Sequence, residues 1–113
     1  MSIVSSASNS FWKKGTKIIV MSAQDLVLNI SVNLNRISKW AMEDKKARIE
    51  QFLKDTQYYV DQLEATPKSD DFLPTLTRFK KVFNKLKDVK LDEVYAEEAL
   101  TWANILTHRA KLA

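Results

Sequence analysis

From Ser22 to Ala65 the chain has no Gly and no Pro, and its apolar residues recur with helical spacing. Leu26, Ile30, Leu34, Ile37 and Ala41 follow one another at intervals of four, four, three and four, which is one stripe of an α-helix. A second stripe runs through Ile49, Phe52/Leu53, Thr56, Tyr59/Val60 and Leu63. Between them, Glu43-Asp44-Lys45-Lys46-Ala47-Arg48 puts Asp44 or Lys45 where the stripe requires an apolar residue. An unbroken helix over this stretch would be about 65 Å long, more than a globule of this size can accommodate. The pattern therefore predicts a kink or break near 43–48, or a projecting helix paired with another chain. Ser22 with Asp25 three residues on reads as a capping box and sets the start. A rival pattern runs through the first stripe. Leu26, Leu28, Ile30, Val32 and Leu34 alternate with Val27, Asn29, Ser31 and Asn33 at strand period. Only Lys17–Met21 offers such a strand a partner, and an isolated two-stranded pairing is marginal. Helix is the preferred reading.

Ala65-Thr66-Pro67-Lys68-Ser69 is a turn, after which Ser69, Asp70 or Asp71 can cap a helix that holds Pro74 in its first turn. Phe72, Leu76, Phe79, Phe83 and Leu86 give the most regular periodicity in the chain. A link at Asp88–Lys90 leads to Asp92 as the next N-cap and to a stripe of Tyr95, Ala99, Trp102 and Ile105/Leu106. The expected elements are helices over 22–42, 46–65, 70–87 and 92–111. The fold class is all-α, a small antiparallel bundle of three to four helices spanning 22–113. Residues 1–21 hold five Ser and no helical periodicity and read as a flexible basic arm ahead of it.

Composition narrows the function. At 113 residues and 45% apolar, the chain is one domain with enough apolar mass for a core. A single Gly excludes a glycine-rich phosphate loop, and the lack of Cys excludes disulfides, thiolate metal sites and a cysteine nucleophile. No apolar run approaches the roughly 20 residues of a membrane span, and Ile18–Met21 is too short for a signal-peptide core. The expected setting is cytoplasmic.

The net charge of +4 is unevenly placed. Residues 1–21 carry Lys13, Lys14 and Lys17 and no acid, and residues 67–90 carry seven basic residues against three acidic ones. With Arg78, Lys80, Lys81, Lys85 and Lys87 around the Phe72/Phe79/Phe83 face, this segment could bind an anionic surface, either a membrane headgroup layer or nucleic acid. Its plainer reading is a bundle helix whose basic outer side meets acidic neighbours. Nucleic acid is the weaker of the two ligands, because the helix that follows is acidic where a helix-turn-helix needs a basic one.

Catalytic chemistry finds little support. His108 is the only His, and no acid stands at metal-ligand or triad spacing from it. Glu93, Glu97 and Glu98 cluster near the start of the last helix, where they suit its dipole and read as a solvated face. The expectation is a non-enzyme without cofactor or metal. The remaining large aromatics, Trp40, Tyr58, Tyr59 and Trp102, are candidate contact residues, since Trp and Tyr concentrate at interfaces. Tyr58 and Tyr59 are adjacent and point about 100° apart on a helix, so one of them should stay exposed. The functional expectation is a helical protein-interaction module, acting on another protein or on a second copy of itself. The alternative is a basic-surface binder.

Overall fold

The computed structural model describes residues 21–113, together with a two-residue antiparallel pairing of Val4–Ser5 with Ala7–Ser8. The predicted arm, with Lys13, Lys14 and Lys17, otherwise lies outside the described residues. Four helices follow: α1 (Ala23–Met42), α2 (Lys46–Ala65), α3 (Leu73–Leu86) and α4 (Glu93–Arg109). A 3-10 turn at Asp70–Phe72 leads into α3, and another at Ala110–Leu112 follows α4. The fold is an all-α bundle.

The caps are those the sequence predicts. Ser22 Oγ accepts from the Asp25 N–H at 3.1 Å, Ser69 Oγ from Asp71 at 3.1 Å, and Asp92 Oδ1 from Tyr95 at 2.8 Å. Each satisfies one of the orphan donors of a helical first turn. Pro74 sits within the first two positions of α3, where its missing N–H costs nothing. The long helical stretch breaks at Glu43–Lys45. Asp44 takes a left-handed conformation (φ 56°), and the Trp40 carbonyl accepts from both Glu43 and Lys45. Asp is one of the few residues besides Gly that enters this region readily. The end of α2 is closed without glycine too. Lys68 Nζ donates to the carbonyls of Leu63, Glu64 and Thr66 at 3.0–3.1 Å.

The strand alternative for 26–34 fails. Leu26, Ile30, Leu34, Ile37 and Ala41 are all buried along α1, while Leu28 and Val32 face outward. The Phe72–Leu86 stripe is buried along its whole length.

Successive helices run antiparallel. On the α1–α2 side, Asn33 meets Thr56 and Trp40 meets Phe52. On the α1–α4 side, Gln24 reaches Lys111 and Ser38 reaches Ala96. Along α3–α4, Thr75 meets Arg109 and Leu86 meets Tyr95. The closest backbone approach is between α1 and α4. Small residues make it possible: Ala23, Ser31, Ser38 and Ala41 on α1, Ala96, Ala99 and Ala103 on α4 and Ala110 in the turn after it, all buried. Ser38 Oγ donates across the seam to the Ala96 carbonyl at 2.7 Å. α3 stands further off and docks through long side chains. Phe79 stacks on Phe83 (5.6 Å between centroids) and meets Trp102 at 5.9 Å. Trp102 is 6% exposed, so it is a core residue and not the contact residue that its type suggested. Tyr95 OH donates to the Leu86 carbonyl at 2.7 Å, and burial, aided by nearby Asp88, pushes its pKa up to about 12.

Candidate protein interaction face

The outer face between α1 and α2 is built differently from the rest. α1 turns Asn33, Arg36 and Trp40 toward it, and α2 supplies Arg48, Phe52, Asp55 and Tyr59, with Tyr58 at its rim. Spacing explains the gathering. Asn33, Arg36 and Trp40 are three and four residues apart, as are Arg48, Phe52, Asp55 and Tyr59, so each set lies along one side of its helix.

Trp40 and Phe52 meet edge to face, 4.6 Å between centroids at 79°. The guanidinium of Arg48 lies 5.6 Å from the Trp40 ring centroid, and that of Arg36 lies 5.8 Å from Phe52. The four side chains form one alternating run, Arg48–Trp40–Phe52–Arg36. Among the described residues no carboxylate lies within ion-pair distance of either arginine. Both rings are only partly buried. Beside Arg36 opens a cleft of about 300 Å³ lined by Asn33, Arg36, Phe52, Asp55, Tyr58 and Tyr59. Its inner end is fixed by polar contacts. Asn33 Nδ2 donates to Thr56 Oγ1 at 3.2 Å, and Thr56 Oγ1 donates to the Phe52 carbonyl at 2.6 Å. Tyr58 is 62% exposed, and Tyr59 is half-buried 6.0 Å from it.

Three of the four aromatic candidates, Trp40, Tyr58 and Tyr59, thus share one face, and Trp102 is inside the bundle. Periodicity alone does not reveal Arg36 and Arg48, because exposed positions tolerate any polar residue. Their three- and four-residue spacing from Trp40 and Phe52 is the signal that finds them.

The basic set on α3 is dispersed. Lys80 pairs with Glu64 of α2 at 2.8 Å, and Lys85 approaches Glu98 of α4 at 4.0 Å. Arg78 lies over Trp102 and Lys87 over Phe83. Among the described residues only Lys81 of this set lacks an ion-pair or ring partner. Lys80 and Lys85 tie α3 to acidic side chains on α2 and α4. A larger hollow of about 520 Å³ between α2 and α3 is lined by Glu50, Lys54, Gln57, Lys87 and one apolar residue, Leu53.

Among the described residues no three His, Cys, Asp or Glu side chains gather as a metal cluster. Nor is any described helix long and apolar enough to cross a membrane. His108 is exposed in the last turn of α4, and Glu93 and Glu97 are solvated. No family model, curated protein or solved structure matches the chain, so the residues themselves carry the functional reading.

Proposed function

We propose that the protein is a non-enzymatic interaction module that docks another protein on its α1–α2 face. The observation that carries this is the unpaired, ring-stacked arginine pair around Trp40 and Phe52, with the exposed Tyr58 beside it. Trp, Tyr and Arg are the residues that dominate binding energy at protein interfaces. Here they converge on a polar-floored cleft rather than scatter over the surface. The basic-surface alternative draws less support, because Lys80 and Lys85 are paired with Glu64 and Glu98 of the neighbouring helices.

The test compares the full chain with Tyr58→Ala as immobilised baits in extract of its source cells at moderate salt. Val94→Ala, also highly exposed but on α4, is the control. One protein held stoichiometrically by wild type and Val94→Ala, and lost from Tyr58→Ala, is the expected result. Retention indifferent to Tyr58, or no retention, overturns the reading. Self-association is measured separately by light scattering. A dimer that Tyr58→Ala dissolves makes the partner a second copy.

A further inference from the structure

Resting on that reading, we infer that the α1–α2 face takes a peptide segment with two acidic residues, the carboxylates going to Arg36 and Arg48, and an amphipathic side chain to one side of them that enters the cleft beside Arg36. Arg36 and Arg48 are exposed and lie over rings, and a guanidinium presents paired N–H groups that match the two oxygens of a carboxylate. The stack also restricts the arginine rotamers beforehand, so less side-chain entropy is lost when the partner arrives. Both arginines lack a carboxylate partner among the described residues, whereas Lys80 and Lys90 each have one within hydrogen-bond distance. The cleft beside Arg36, lined by Asn33, Arg36, Phe52, Asp55, Tyr58 and Tyr59, lies to one side of the arginine pair and suits one amphipathic side chain such as Tyr.

A phosphate backbone fits this face less well. Phe52 and Trp40 are partly covered by each other and by guanidinium groups, which leaves Tyr58 as the well-exposed ring of this face on which a base could stack. Asp55 lines the same cleft, and Glu43 and Asp44 stand exposed in the adjoining turn. A continuous run of phosphates would have to cross these carboxylates. A peptide with acids at chosen positions need not.

The experiment selects a displayed library of random 16-residue peptides on the immobilised full chain. The best-enriched peptide is then titrated by fluorescence anisotropy against wild type, Arg36→Gln, Arg48→Gln, Arg48→Lys and Tyr58→Ala. Far-ultraviolet circular dichroism confirms that each variant is folded. The expected peptides carry two Asp or Glu residues with a Tyr or other aromatic residue to one side of the pair. Either Arg→Gln change should weaken them at least tenfold, with Arg48→Lys restoring only part of the loss. Enriched peptides without acidic bias, weakened by Tyr58→Ala but not by Arg→Gln, overturn the acidic-partner inference and leave the docking face standing. Enriched peptides indifferent to all the variants overturn both. An unenriched library overturns the peptide inference, while the extract comparison decides independently on the face. Binding of a 20-nucleotide oligothymidine that the Arg→Gln variants abolish also overturns it, in favour of nucleic acid.

Discussion

The two flanks of α1 face neighbours of opposite character. Toward α4 the buried side chains are small, Ser31, Ser38 and Ala41 on α1 and Ala96, Ala99 and Ala103 on α4, and the Ser38 hydroxyl reaches the Ala96 carbonyl. Toward α2, Trp40, Phe52 and Tyr59 stay half-buried at the outer edge, with a cleft beside them. The same hydrophobic effect drives both contacts, and side-chain size decides what remains outside. Small residues complete their burial at the seam and leave nothing to bind. Large ones bury in part and leave rings, guanidinium edges and a cavity available.

The sharpest test of this contrast enlarges the closed flank. Ala103→Leu puts three extra carbons where two backbones nearly touch and should cost about 3 kcal/mol, the upper end for overpacking, read as a lower urea midpoint. On the open flank, Trp40→Ala should cost less, about 1–2 kcal/mol, because the ring is only partly buried and water can fill the space. A Trp40→Ala loss larger than that of Ala103→Leu would break the comparison.

Tyr95→Phe probes the α4 side of the bundle by pH. It removes the hydrogen bond to Leu86 and should cost about 1 kcal/mol at neutral pH. The folded pKa of about 12 lies above the ordinary 10.0, so the neutral phenol is favoured by folding. That contribution is fully present below pH 10 and is lost as pH rises toward 12. The stability gap between wild type and Tyr95→Phe should therefore shrink over pH 10–12. A constant gap would show that the hydroxyl is not buried in solution. The smallest effect belongs to the rim. Tyr58→Ala should change stability by less than about 0.5 kcal/mol, so that any loss of binding is read as loss of contact.

The helices were legible because each buries one continuous stripe and starts at a recognisable cap. Leu26 to Ala41 and Phe72 to Leu86 show the first, and Ser22, Ser69 and Asp92 the second. The break at 43–48 was legible as charges in a core position, although the left-handed Asp44 that executes it follows no periodicity. The candidate face was legible only as surplus aromatics. Trp40, Tyr58 and Tyr59 stand out by type, but their convergence depends on the antiparallel register of α1 and α2. Trp102 shows the limit. It lies on the apolar side of α4, which has two neighbours. Alanines claim the side toward α1, and the indole turns to Phe79 of α3. Ala96, Ala103 and Ala110, seven residues apart, were the sign that one neighbour would come close.

That seven-residue spacing has a cost in uniqueness. Ser31 and Ser38 repeat at the same interval, so sliding α4 by two turns, about 10.5 Å, would again set small residues against small residues. The seam supplies adhesion without an address. Alignment must come from contacts that occur once, such as Gln24 on the Lys111 carbonyl. A sequence that kept every alanine of the seam but lost these would still collapse, into more than one alignment.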